Sequence, residues 1–210
     1  QDVLGTFMMI ENSSVPFITE IPGFNGYLTP RYCLTLSDWK DPVIFKYSPE
    51  EIQNININYT RFPERNLYIA RNGEKIKITG NNGQGELPNV DSVAVDNYFA
   101  LYNALYYESR ENQLTEAQHD SLAKTPSVCT VTVTDKQGNN RRVIIYPMPI
   151  NEKSLTQQDT LGNPLKYDVD RMIGFIEQES EWVVIQHYTF DRIFRTPADF
   201  DSGLRRKRNN

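Results

Sequence analysis

Apolar and polar residues alternate strictly over Cys129-Thr130-Val131-Thr132-Val133-Thr134, which predicts a strand with one buried face. The turn residues Asp135-Lys136-Gln137-Gly138-Asn139-Asn140 follow, and Val143-Ile144-Ile145-Tyr146 returns, so the segment predicts a hairpin. The same period of two marks strands at 55–59, 66–71 and 75–79, with Asn72-Gly73 as the tight-turn signal between the last two. Phe7-Met8-Met9-Ile10 and Val15-Pro16-Phe17-Ile18 flank Glu11-Asn12-Ser13-Ser14, predicting an opening hairpin. Segments 168–178 and 182–187 predict a closing one, with a short helix near 190–194.

Helical periodicity dominates one stretch, 91–111. Val95, Phe99, Tyr102 and Tyr106 form one stripe, and Ala94, Tyr98, Leu101 and Leu105 form a second beside it, a face wide enough to cover a sheet. Thr115-Glu116-Ala117-Gln118 is a capping box opening a short helix to Ala123, and Ser48-Pro49-Glu50-Glu51 predicts a single helical turn. A helical turn is also expected at 24–28, packing points at Trp39, Pro42 and Phe45, a flexible loop at 80–85, and a mobile polar loop over 147–166.

The two ends of the chain align without gaps at an offset of 166 residues. Asp2-Val3 meets Asp168-Val169, Ile10-Glu11-Asn12 meets Ile176-Glu177-Gln178, Ser14 meets Ser180, Phe17-Ile18 meets Val183-Val184, Phe24 meets Phe190, and Leu28 meets Phe194. Identities are few, but apolar positions coincide throughout. The expected fold is therefore α+β, a mostly antiparallel β-sheet with one long packed helix, hairpins at both ends and a partial tandem repeat. Residues 1–46 read as the closing hairpin and connector of a truncated upstream unit, 47–196 as a complete unit, and 197–210 as a basic tail.

Composition narrows the function. Among 210 residues, 27 acids oppose 22 Lys and Arg, a net charge of −5 that argues against a general nucleic-acid binder. The basic run Arg205-Arg206-Lys207-Arg208 reads as a solvated tail. Twelve Tyr, ten Phe and two Trp argue against disorder over most of the chain. Cys33 and Cys129 lie far apart, with pairing, free thiols and buried apolar roles all open to them. No apolar run reaches the length of a membrane span, and the start at Gln1 reads as processed or truncated.

Catalytic signatures are missing: the sequence holds no GxSxG, HExxH, CxxC, phosphate-cradle or calcium-loop motif. His187 reads as a packed histidine and His119 as a surface one. Asp159, Asp168, Asp170, Glu177 and Glu179 read as a solvated acidic face. The reading is non-enzymatic, with no cofactor and no metal. Asp91-Ser92-Val93, Asp120-Ser121-Leu122 and Asp159-Thr160-Leu161 each place a hydroxyl residue between an aspartate and an apolar side chain, a pattern that resembles a bacterial acceptor motif for protein O-glycosylation; what that resemblance implies is a glycan on Thr160, the one in the loop.

Leu4-Gly5-Thr6-Phe7-Met8-Met9-Ile10-Glu11, Ser14-Val15-Pro16-Phe17-Ile18-Thr19, Ile21 to Tyr32, Trp39 to Ile57 and Tyr146-Pro147-Met148-Pro149-Ile150 together resemble domain-of-unknown-function family 4340, in the variant of gut-type Gram-negative bacteria. The resemblance covers nearly the whole chain. It implies repeated α+β units on the periplasmic side of the cell envelope, behind an N-terminal membrane anchor or lipoprotein signal. It also implies a protein partner there, such as a component of an ABC-type transporter, and no catalytic residues. The expected function is a non-enzymatic, envelope-facing interaction or scaffold domain of a membrane-anchored protein. A glycan- or peptide-binding module using surface aromatics is the alternative.

Overall fold

The computed structural model describes residues 6–23, 28, 39–73, 75–80 and 85–203. It divides into two units, 1–41 and 42–210. Most of the expected turn at 24–28, Cys33, most of the 80–85 loop and the basic run 205–208 lie outside the described residues.

In the first unit, β1 (Thr6–Met8) and β2 (Phe17–Thr19) form an antiparallel hairpin in the register Thr6↔Thr19, Phe7↔Ile18, Met8↔Phe17. Asn12 turns the chain with φ 68°, a left-handed conformation asparagine tolerates better than most residues.

The second unit is built on an eight-stranded antiparallel sheet. Its strands are β4 (Ile52–Tyr59), β5 (Leu67–Asn72), β6 (Lys75–Thr79), β8 (Ser109–Arg110), β9 (Cys129–Asp135), β10 (Asn140–Pro149), β11 (Tyr167–Ile176) and β12 (Glu181–Gln186). The spatial order is β6-β5-β4-β9-β10-β11-β12-β8. A separate two-stranded ribbon pairs β3 (Val43–Phe45) with β7 (Leu105–Tyr106). The fold is thus mainly antiparallel sheet with few helices, as the alternation predicts.

One face of the sheet carries the main core. Cys129, Val131 and Val133 of β9 and Val143 and Ile145 of β10 are buried here with Met172, Val183 and Ile185. Ile52, Ile55 and Ile57 of β4 join them, although Ile52 has the opposite parity from the other two. A bulge between Ile52 and Asn54 resolves this: the extra residue turns Ile52 back toward the core. Helix α1 (Ser92–Ala100) supplies the cover, burying Ala94, Val95, Tyr98 and Phe99. Asp91 caps it by accepting from the Ala94 N–H at 3.0 Å. Tyr102 is fully buried and meets Phe45 edge-on at 5.4 Å, with Tyr98 at the same distance.

The long helix expected over 91–111 ends at Ala100. A 3₁₀ turn, Leu101–Asn103, carries the chain out, and the remainder divides between β7 and β8. The apolar stripes are real, since Tyr102 and Leu105 are buried, but Leu105-Tyr106 and Ser109-Arg110 gain sheet partners in β3 and β12. Tertiary pairing overrides local propensity here.

Smaller differences follow the same logic. Pro49–Glu51 is a turn, although Ser48 N–H does donate to Glu51 Oε2 at 2.7 Å as half a capping box. Trp39 is exposed, whereas Phe45 is fully buried. The last helix, α3 (His187–Phe190), starts earlier than expected because Phe190 and Ile193 must reach the core. Residues 197–203 belong to the second unit: Phe200 is buried against Tyr98 at 5.2 Å, and its carbonyl accepts from Asp91 N–H.

Candidate groove beneath helix α2

The opposite face of the sheet has two halves, and their chemistry decides where a site can form. Across β4 and β9 it is polar, with Asn54, Asn56 and Asn58 opposite Thr134, Thr132 and Thr130. Across β10, β11 and β12 it becomes apolar: Ile144, Tyr146, Met148, Ile173, Phe175, Trp182 and Val184 form a second cluster. Helix α2 (Glu116–Ala123), opened by the expected Thr115/Gln118 capping box, lies over this half.

Helix α2 contributes no fully buried residue. It is held by half-buried Leu122, which packs on the second cluster, and by one polar joint. His119 stacks on Trp182 with ring centroids 4.9 Å apart and planes 2° from parallel. Its Nε2 lies 2.6 Å from Glu111 Oε2, and the Glu111 side chain is only 2% exposed. That carboxylate also accepts from the backbone N–H groups of Gln113, at 2.9 Å, and Leu114, at 3.1 Å. A carboxylate accepts all three bonds without a proton of its own, so Nε2–H is the donor. His119 is thus a half-buried structural joint, contrary to its surface reading. The helical pattern alone does not reveal this, because Glu111 and Trp182 are brought to it by β8 and β12.

A groove of about 670 Å³ remains between the helix and the sheet end. Gln118, Ser121, Leu122 and Thr125 line one wall at helical spacing; the Gln118 amide oxygen is held by the Thr115 cap and the Thr125 hydroxyl donates to the Leu122 carbonyl. Pro147, Met148, Pro149 and Ile150 form the opposite, apolar wall. Tyr167 and the exposed Lys166 stand at one end, with Lys166 Nζ 5.1 Å from the centre of the Tyr167 ring. The apolar wall exists because β10 outruns β9. The last pair of that ladder is Ile145↔Cys129, so the stretch from Tyr146 to Pro149 has no β9 residue beside it. Two prolines in it remove backbone donors, which makes it a poor template for strand addition. Recognition would therefore run through side chains.

The mobile loop expected over 147–166 is instead ordered at both ends: β10 reaches Pro149, and residues 157–165 close a tight turn. Asp159 Oδ1 accepts from the N–H groups of Leu161, at 2.8 Å, and Asn163, at 2.9 Å, while Asn163 Nδ2 donates to Oδ2 at 3.0 Å. Asp135-Lys136-Gln137-Gly138-Asn139 makes the same turn, with Asp135 accepting from Gln137, Asn139 and the Asn139 amide. Gly138 and Gly162 take the positive φ that both turns need, 89° and 84°. The Asn139 and Asn163 side-chain amides, backed by backbone N–H donors, hold the Asp135 and Asp159 carboxyls below the usual aspartate range. Thr160 and Leu161 project at the tip, both exposed. Asp91 is a helix cap, and Asp120 lies within α2.

The acidic residues do not gather. Glu177 and Glu179 pair with Arg142 and Arg141 at 2.8 and 2.7 Å. Asp168 is buried where Oδ1 accepts from the N–H groups of Asp170 and Arg171, contrary to its solvated reading. Among the described residues, no group of three or more His, Cys, Asp or Glu side chains is placed to hold a metal ion. His187 is half-exposed and bonds Asp191 at 2.9 Å. Cys129 is a buried free thiol, pushed up to about 12 by burial. Among the described residues, no helix is long and apolar enough to cross a membrane. No family model, curated protein or solved structure matches the chain.

Proposed function

We propose that this chain is a non-enzymatic interaction domain whose contact site is the groove beneath α2, and that the groove takes an extended peptide of a protein partner. The observation that carries the reading is an open, mainly apolar groove between the residues Gln118, Ser121, Leu122 and Thr125 and the wall of Pro147, Met148, Pro149 and Ile150. An extended peptide presents alternate side chains to opposite faces and so reaches both walls through its side chains. A glycan-binding reading is less favoured, because sugars stack on flat rings and, among the described residues, Tyr167 is the one aromatic lining the groove. The resemblance to family 4340 supports a place on the periplasmic side of the envelope, in a membrane-anchored parent protein, with a transporter component as partner.

The test is a peptide-display selection against the whole chain, followed by NMR mapping of the selected peptides. Shifts at Leu122, Met148 and Ile150, and loss of binding in Ser121→Trp, are expected. Peptides that map elsewhere and bind Ser121→Trp unchanged would overturn the assignment.

A second reading, repetition of the unit, is favoured by a separate observation. The register Thr6↔Thr19, Phe7↔Ile18, Met8↔Phe17, moved by 166 residues, coincides with Met172↔Ile185, Ile173↔Val184, Gly174↔Val183. The two hairpins thus share their register as well as their apolar pattern, as follows where the same apolar spacing sets the pairing. Thr160 remains the proposed glycan acceptor, exposed at the tip of its turn. An intact mass equal to the bare polypeptide, on protein purified from its host, would sink that proposal.

A further inference from the structure

The hairpin β1–β2 exposes what its counterpart buries. Phe7 is 59% exposed, Met9 66%, Ile10 69%, Phe17 48% and Ile18 50%. At the 166-residue offset, Phe7 corresponds to Ile173, Ile10 to Ile176, Phe17 to Val183 and Ile18 to Val184, which are between 0% and 7% exposed. Two-stranded hairpins are marginal in water, and clustered exposed apolar side chains on a short hairpin mark a surface that is covered in use.

The counterpart shows what the cover is. β11 is flanked by β10, in the register Ile144↔Phe175, Ile145↔Gly174, Tyr146↔Ile173. Val143 and Ile145 of β10 join Ile176 and Val183 in the main core, while Tyr146 and Met148 join Ile173 and Val184 in the second cluster. β10 thus gives that hairpin a paired edge and apolar neighbours on both faces, because its side chains alternate between them, while residues of α1, α2 and α3 pack over those faces.

We infer that the β1 edge of the first hairpin docks a strand of the β10 type, supplied by a further unit of the same build. This rests on the repeat reading above. The occupant is an extended segment with apolar residues on both faces, lying antiparallel to β1, with the residue equivalent to Tyr146 opposite Phe7. One mismatch is visible: Met8 stands where the counterpart has Gly174, whose position leaves only 3.2 Å from an added Cβ to Val183 Cγ2. The docked strand therefore meets a bulkier side chain at that point and needs a smaller residue than Ile145 opposite it.

The probe is a synthetic peptide of residues 140–149, used with Ile145 as in the chain and with Ile145→Ala, and carrying a photo-crosslinker at the Tyr146 position. It is added to the whole 210-residue chain and read by fluorescence anisotropy. Saturable one-to-one binding is expected, tighter for the Ile145→Ala peptide and weakened by about tenfold or more in Phe7→Thr and in Ile18→Thr. Threonine keeps strand propensity while removing the apolar surface, so the hairpin itself persists. Leu161→Thr, an exposed apolar position in the second unit, should leave binding unchanged. Absence of binding, or binding indifferent to both hairpin variants, overturns the docking inference. Binding that depends on Phe7 but crosslinks away from it keeps the docking surface and sinks the repeat register.

Discussion

Replacing His119 tests how the groove is built, because its ring makes the one stacked and hydrogen-bonded joint described between α2 and the sheet, beside the half-buried Leu122. Two contributions can be separated. A hydrogen bond to a carboxylate contributes about 1.5–3 kcal/mol, and Glu111 is buried enough for water to replace it poorly. The parallel stack on Trp182 contributes about 0.5–1.5 kcal/mol beyond area burial. His119→Phe keeps the stack and should cost about 1.5–3 kcal/mol, whereas His119→Ala loses both and should cost about 2–4 kcal/mol. Glu111→Gln should cost less than His119→Phe, since the amide oxygen still accepts from Gln113 and Leu114. The measurements are urea denaturation by far-UV circular dichroism and amide hydrogen exchange of α2. Exchange should accelerate over residues 116–123 ahead of the β9–β12 strands, because the helix has no buried residue of its own to hold it. If His119→Ala and His119→Phe both leave stability within about 0.5 kcal/mol of the parent, the joint does not hold α2 and the argument fails.

Three further outcomes follow from other parts of the molecule. Tyr98 Oη donates to the Ile193 carbonyl at 2.8 Å, so its single proton is used and Tyr102 must donate to Tyr98. Tyr98→Phe strands two buried groups and should cost about 2–4 kcal/mol, against about 1 kcal/mol for Tyr102→Phe, in equilibrium unfolding; equal costs would refute the assigned direction. Gly174→Ala places a Cβ 3.2 Å from Val183 Cγ2 and should cost about 1–3 kcal/mol, with Val183→Ala recovering part of the loss in a double-mutant cycle. The Asp135 and Asp159 carboxyls lie below their unfolded values, so each turn gains stability that is fully present above the ordinary aspartate range. It is lost as pH falls through the depressed folded value; NMR shifts of the Leu161 and Asn163 amides should report this, and should lose the acid transition in Asp159→Ala.

The sequence by itself determined the long strands of the main sheet, though not the short β3, β7 and β8. Alternation over Cys129–Thr134 put the thiol and the valines on one face, and the paired capping residues Thr115 and Gln118 started α2 where expected. Such features are legible because each rests on neighbours within a few residues. It also carried the Asp-x-x-Gly-Asn pattern of both tight turns, although the motif becomes recognisable only when two copies are seen making the same bonds.

Only tertiary structure decided the end of α1, since residues after Ala100 gain more from pairing with β3 and β12 than from helical hydrogen bonds. It also decided the groove. That hollow depends on β10 outrunning β9, and on Glu111 and Trp182 meeting His119 across long stretches of chain. Neither the length difference between paired strands nor a joint between distant residues leaves a local pattern. The site is therefore a property of how the sheet is ordered, and the periodicity that built the sheet is silent about it.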